Sequence, residues 1–202
     1  MSPSPTDTAD TSAASYERAG HAIVRGLVSP EVASFLVDCA DVLAEAGAMK
    51  PDAMVAGSLH RYGDATFDTV LRRVTPRVSE ATGLRLVPTY SYLRLYRRGQ
   101  ELVPHRDRPE CEHSASLQLG ASGGGTWPLC LRDGDGPVVE ANLAAGDAVL
   151  YRGDRLLHWR DPLTDDWHLQ VFLHWVDADG PNGNRRFDHR DALGTPSARR
   201  VG

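Results

Sequence analysis

The residues of this chain best placed to do chemistry are His105 and Asp107, in the tripeptide His105-Arg106-Asp107, together with His158 further on. In extended chain, positions i and i+2 project to the same side, so His105 and Asp107 can reach a single ion. Two neutral imidazoles and a hard carboxylate suit Fe(II). Three protein ligands also leave coordination positions open, which marks a catalytic site rather than a structural one. A lone His-x-Asp arises often by chance, and its ordinary reading is a surface turn. Three features outweigh that reading. The tripeptide ends a predicted strand, His158 falls on another after Ala148-Val149-Leu150-Tyr151, and the intervening segments read as strands of a barrel.

The elements that must position these groups follow from periodicity. Residues 1–15 are rich in Ser, Thr, Pro, Ala and Asp and read as a disordered tail. A strand is expected over 21–28. Ser29-Pro30 then opens a helix carrying Val32, Phe35, Leu36, Cys39 and Leu43 on its apolar stripe, ended by Gly47. A second amphipathic helix starts near Asp64, places Phe67, Val70, Leu71, Val74 and Val78 on one face, and stops at Gly83. From Leu84 onward the pattern becomes short strands between Gly, Pro and Asp turns, at 86–96, 101–106, 113–119, 127–132, 137–142, 147–151, 155–160 and 167–176.

Two of these strands define an interior. Tyr90, Tyr92, Arg94 and Tyr96 share one face of the first strand, opposite Leu93 and Leu95. His168, Gln170, Phe172 and His174 share one face of the last, opposite Leu169, Val171, Leu173 and Trp175. The aliphatic faces are expected to meet the helices. A face of Arg, His, Gln and Tyr suits a barrel that holds a polar ligand. The expected organisation is one domain over 16–180, mainly β with flanking helices, followed by an irregular tail over 181–202.

Composition sets outer bounds. A chain of 202 residues with a 41% hydrophobic and 24% charged make-up is that of an ordinary globular protein with one core. A net charge of −5 argues against a nucleic-acid binder. No apolar run approaches the roughly 20 residues that span a bilayer, and the N-terminus lacks the pattern of a secretory signal. Cys39, Cys111 and Cys130 form neither a disulfide framework nor a zinc pair, so a cytoplasmic location is expected. Lys50 is the only lysine, so a buried anion site must use arginine, histidine, hydroxyls or backbone amides.

Leu95-Tyr96-Arg97-Arg98-Gly99-Gln100 followed by Pro104-His105-Arg106-Asp107, the turn Gly123-Gly124-Gly125-Thr126-Trp127-Pro128, and Gly146-Asp147-Ala148-Val149-Leu150-Tyr151 occur in that order. Over residues 90–176 the chain thereby resembles the 2-oxoglutarate- and Fe(II)-dependent oxygenases, in particular their prolyl-4-hydroxylase-like branch. The resemblance implies a double-stranded β-helix, or jelly roll, with iron on His105, Asp107 and His158. It implies O2 and 2-oxoglutarate as cosubstrates, decarboxylation of the latter to succinate and CO2, and hydroxylation of an unactivated C–H bond. By analogy the substrate is an amino acid, a peptide or a small peptide-like metabolite, with no nucleic-acid or membrane partner. The oligomeric state is not legible.

One position departs from the pattern. The family usually pairs the distal carboxylate of 2-oxoglutarate with Arg or Lys about ten residues after the second histidine, and here that position is His168. Arg160, two residues after His158 on the same strand face, offers the bidentate geometry a carboxylate prefers. A protonated His168, raised by a neighbouring carboxylate, is the competing anchor, and its plain alternative is a hydrogen bond in the barrel wall. Tyr96 ranks first as a contact to the cosubstrate, then Arg160, then His168. Arg94 can meet an anionic group of the substrate or cosubstrate, although a salt bridge to Glu101 or Glu110 is the preferred reading. Tyr90, Tyr92 and Trp159 read as pocket wall, Cys111 as a bystander, and the pairs Arg185-Arg186 and Arg199-Arg200 as solvated tail. Asp107 fills the position that related halogenases vacate for chloride. Two alternatives from other classes stay open: a jelly-roll metal-binding or sensing module without turnover, and a zinc hydrolase on the same triad.

Overall fold

The structure, a computed structural model, describes residues 12–123 and 126–196. The helical and strand periods of the sequence each find their element. α1 spans Ser12–Ala19, α2 Pro30–Glu45 and α3 Ala65–Thr82. The Ser29 and Asp64 side chains accept hydrogen bonds from the backbone N–H groups of Val32 and Thr66 and so satisfy two of the free donors at the starts of α2 and α3. α3 ends where Gly83 turns left-handed at φ 73°, a conformation that a side chain disfavours.

The strands are β1 His21–Val24, β2 Lys50–Pro51, β3 Leu59–Tyr62, β4 Leu86–Arg97, β5 Leu102–His105, β6 His113–Ala121, β7 Leu129–Arg132, β8 Val139–Ala141, β9 Ala148–Tyr151, β10 Leu157–Arg160 and β11 Trp167–Asp177. They form a seven-stranded sheet in the order β1-β9-β6-β11-β4-β3-β2 and a four-stranded sheet in the order β5-β10-β7-β8. Every pairing is antiparallel. From β4 onward the chain deals its strands between the two sheets: β4, β6, β9 and β11 to the larger, β5, β7, β8 and β10 to the smaller. This is the jelly roll that the sequence led us to expect.

Alternation along β4 and β11 separates two interiors. Leu93, Leu95, Leu169, Val171, Leu173 and Trp175 point outward and pack with Phe67, Leu71, Val74 and Leu36 under the helices. Trp175 is fully buried and its indole N–H bonds Thr75 Oγ1 at 2.8 Å, so its polar edge is satisfied. Leu102, Leu129, Leu131, Val149, Tyr151 and Phe172 fill the space between the sheets. The polar faces of β4 and β11 are turned into that same space.

Three expectations need correction. The apolar stripe of α2 is rotated: Ala33, Leu36 and Ala40 are buried, whereas Val32 and Phe35 are exposed at 43% and 61%. Small residues at 33 and 40 let the helix lie close to the sheet, and the larger side chains were mistaken for the buried ones. The disorder expected over the tail 1–15 does not hold for residues 12–15, which are helical, and Tyr16 is buried with its hydroxyl 2.8 Å from His113 Nδ1. The rest of that tail, with Gly124, Gly125 and the Arg199-Arg200 pair, lies outside the described residues.

The third correction concerns residues 181–196. Their backbone is largely irregular, but the segment is docked. Asp188 is buried and accepts hydrogen bonds from the Tyr62 hydroxyl and from Arg108 Nη2. Arg185 pairs with Glu110. Arg190 Nη1 lies 2.8 Å from Asp68 Oδ2, an ion pair without a well-aligned hydrogen bond, with side chains only 3% and 9% exposed. Removing one partner of a buried pair strands the other charge, at about 3 kcal/mol. Arg190→Ala is therefore expected to lower the melting temperature by about 10 °C in a chain of this size. A scanning-calorimetry shift within error of zero would show the segment to be undocked.

Candidate metal centre and its cavity

Strand pairing brings the three predicted ligands together. His105 closes β5 and stands directly opposite His158 in β10, so the antiparallel register places the two imidazoles side by side, with ring centroids 4.2 Å apart. Asp107 lies just past β5, where its N–H bonds the Gly153 carbonyl at 2.8 Å. Its Oδ1 is 3.6 Å from His105 Nε2 and 3.5 Å from His158 Nε2.

The tautomers are fixed by the backbone. His105 Nδ1 is 2.8 Å from the Val103 carbonyl and His158 Nδ1 is 2.9 Å from the Leu156 carbonyl. A carbonyl only accepts, so each Nδ1 carries a proton, and Nε2 is the nitrogen that each ring turns toward Asp107 and has available for a metal. Burial raises the Asp107 carboxyl pKa, but the two imidazoles outweigh it and hold the group well below the usual carboxylate range. Its second oxygen sits in a cradle: a Cβ on Gly153 would meet Asp107 Oδ2 at 2.3 Å. Two imidazole Nε2 atoms and an ionised carboxylate, with each ring anchored to the backbone through Nδ1–H on its far side, fit a divalent ion of the iron class.

A second trio, Asp107, Cys111 and His174, also brings donor atoms within 4.8 Å of one another. Metal binding there needs a thiolate. Burial, and then the Asp107 charge, push the Cys111 thiol well above its ordinary value, and its Sγ rests 2.8 Å from the Tyr90 hydroxyl.

The triad opens on a cavity of about 530 Å³ lined by Tyr90, Tyr92, Arg94, Arg108, Phe172 and His174, among others. Tyr92 stacks on His60, with centroids 4.7 Å apart and planes 4° from parallel. Arg94 lines the cavity but is already paired: its Nε donates to Asp52 Oδ2 at 2.7 Å and its Nη1 to the Tyr96 hydroxyl at 2.9 Å. A salt bridge was expected, but to Glu101 or Glu110. The partner is Asp52, from the loop after β2, which also accepts from Tyr92 and from two backbone N–H groups of its own loop. Trp159 does not line the cavity. His158 and Arg160 face inward, so Trp159 between them faces outward, where the Arg132 guanidinium lies over its ring.

Arg160, Tyr96 and His168 form a second cluster, buried behind the lining. Tyr96 and His168 are direct cross-strand partners, and the Trp127 ring packs against all three side chains. Arg160 is 1% exposed. It donates to the Trp127 carbonyl and, at 3.3 Å, to Ser116 Oγ, while its Nε has no partner. Among the described residues no carboxylate forms an ion pair with it. Burial pulls its pKa down to about 10, still charged at neutral pH. His168 Nε2 and Gln170 Nε2 also lack partners. Burial and the Arg160 charge press His168 down to about 3 in the ligand-free site, opposite to the rise that a neighbouring carboxylate would bring. A buried guanidinium without a counter-charge beside orphaned donors fits an anionic ligand such as a carboxylate.

Sequence reasoning did not find Asp52, Asp188, Ser114 or Gly153 as members of this site. Asp52, Asp188 and Gly153 reach it across long sequence separations, from a loop, a docked tail or a turn, and Ser114 comes from a strand whose local pattern is unremarkable. His174 was placed on the inner face, but no role was read from it.

No family profile matches the chain, and no curated protein matches it. Solved structures do match. A prolyl-4-hydroxylase from Pseudomonas putida superposes with a TM-score of 0.66 at 17% identity, over 81% of this chain and 95% of that one. A Trichoplax adhaerens prolyl hydroxylase, solved with a hypoxia-inducible-factor peptide, gives 0.68 at 14% identity over 83% and 88%. The α-ketoglutarate-dependent epimerase SnoN of nogalamycin biosynthesis gives 0.66 at 21% identity over 92% and 93%. At these identities the likeness is one of fold: the chain has the double-stranded β-helix seen in 2-oxoglutarate- and iron-dependent enzymes. No helix among the described residues is long and apolar enough to cross a membrane.

Proposed function

We propose that this chain is an Fe(II)- and 2-oxoglutarate-dependent oxygenase that hydroxylates an unactivated C–H bond of an amino acid, a peptide or a small peptide-like metabolite. The observation that carries the reading is the pairing of two features. A two-histidine, one-carboxylate set opens on the cavity, and behind it lies a buried arginine that has no counter-charge among the described residues. Either alone has ordinary explanations; together they match the needs of a metal ion and an anionic cosubstrate.

His105, Asp107 and His158 would hold the iron, each histidine offering the nitrogen its backbone hydrogen bond leaves bare. Arg160, aided by Tyr96, would bind the distal carboxylate of 2-oxoglutarate. The iron and cosubstrate, when bound, supply the oxidising power and release succinate and CO2. The protein orients the substrate and excludes water. Tyr92, His60 and Phe172 give the cavity flat aromatic walls suited to positioning a substrate. The solved structures of this fold include one in complex with a peptide and one in complex with nogalamycin RO, so the fold accommodates different ligands.

The test is iron-dependent consumption of 2-oxoglutarate with formation of succinate by the purified chain. A non-catalytic metal module, or a zinc hydrolase, would show none.

A further inference from the structure

The Asp107 carboxylate has two oxygens in two different settings. Oδ1 faces the histidine nitrogens, whereas Oδ2 lies 3.1 Å from Ser114 Oγ, which is in turn 2.8 Å from His174 Nδ1. Ser114 and His174 are direct cross-strand partners in β6 and β11, so the sheet register sets this contact. Both are at least nine-tenths buried. The His174 ring is also fixed by packing, 4.6 Å from the Tyr90 ring and 6.4 Å from that of Phe172.

The direction of the hydrogen bonds follows from who can donate. Asp107 is ionised and only accepts. The Cys111 carbonyl, 3.2 Å from the same hydroxyl, also only accepts. Ser114 has one proton. Both contacts are hydrogen bonds only if His174 Nδ1–H donates to Ser114 Oγ and Ser114 Oγ–H donates to Asp107 Oδ2.

We propose that Ser114 and His174 are positioning residues that engage Oδ2 and thereby hold Asp107 as a one-oxygen metal ligand. The inference rests on the metal reading above and deepens it. A carboxylate can bind a divalent ion through one oxygen or two. Two would occupy a coordination position that the cosubstrate or O2 requires. The Ser114–His174 chain engages the second oxygen, and Gly153 makes room for the arrangement. A side chain there would collide with Asp107 Oδ2, the Cys111 carbonyl and Ser114 Oγ, at 2.3, 2.6 and 2.9 Å from its Cβ.

The experiment is titration of the metal-free full-length chain with Co(II), reading affinity and the ligand-field absorption spectrum. Ser114→Ala deletes one atom from a buried site, and thermal melts confirm that it folds. His174→Phe keeps the ring packing but removes the donor, and His174→Asn restores an N–H near the position of Nδ1. Ser114→Ala and His174→Phe are expected to bind Co(II) about 10- to 100-fold more weakly, the range typical for loss of a partner that orients a ligand. Their spectra should shift toward higher coordination, and His174→Asn and Ser114→Thr should recover native values. Unchanged affinity and spectrum in folded Ser114→Ala and His174→Phe would overturn the proposal and leave the metal site intact. If the native chain binds no Co(II), or if His105→Ala binds it as well as the native chain does, the metal reading falls and the proposal with it.

Discussion

Asp107→Ala is expected to bind Fe(II) more than about 100-fold more weakly than the native chain, since deleting a ligand must exceed the 10- to 100-fold typical for deleting a ligand's hydrogen-bond partner. Succinate formation should fall to background. Asp107 supplies the only negative charge of the trio, and its ionised state is already enforced before any metal arrives. Removing it leaves two neutral imidazoles, which do not offset the charge of the ion. Fe(II) affinity and succinate yield check the prediction together. Near-native turnover in the variant would remove the triad assignment altogether.

Arg160→Ala is expected to weaken 2-oxoglutarate binding by about 100-fold, within the 2–5 kcal/mol typical for losing one member of a buried charge pair. His168→Ala should cost far less, because His168 is neutral and can offer at most one uncharged hydrogen bond. The opposite order would move the carboxylate anchor to His168. Arg94→Ala with a larger effect than either would move it to the cavity-lining guanidinium, despite that residue's ion pair with Asp52.

Stability supplies an independent check on the same residue. A buried charge without a counter-charge destabilises the ligand-free protein, so Arg160→Met, which keeps most of the volume, is expected to leave the melting temperature unchanged or raise it. An arginine with a purely structural role would behave in the opposite way. A fall of several degrees in Arg160→Met would show that its bonds to Trp127 and Ser116 matter more than its missing counter-charge.

The candidate metal centre was legible because its information is local. His105 and Asp107 are two residues apart at a strand end, and His158 lies on a strand whose alternation sends it inward. Those rules need only the β period, and the same period exposed the polar inner faces of β4 and β11. The supports of the site were not legible. Asp52 reaches Arg94 from a loop that carries no periodic signal, and Asp188 reaches Arg108 from a segment whose Gly, Asn and Arg content reads as solvated. The phase of α2 was misjudged for a related reason. A stripe of large apolar residues is visible in sequence, but the close approach that buries Ala33 and Ala40 depends on the sheet beneath. His168 shows the converse: its place on the strand was readable, whereas its pKa depends on its burial and on Arg160, both of which push it down.

The most direct test of the central claim is an anaerobic visible difference spectrum of the metal-free chain with Fe(II), before and after addition of 2-oxoglutarate. A new metal-to-ligand charge-transfer band is expected, since chelation requires iron on the triad with adjacent open positions. Iron that binds without producing the band would contradict the account and leave a jelly-roll metal site that does not take this cosubstrate.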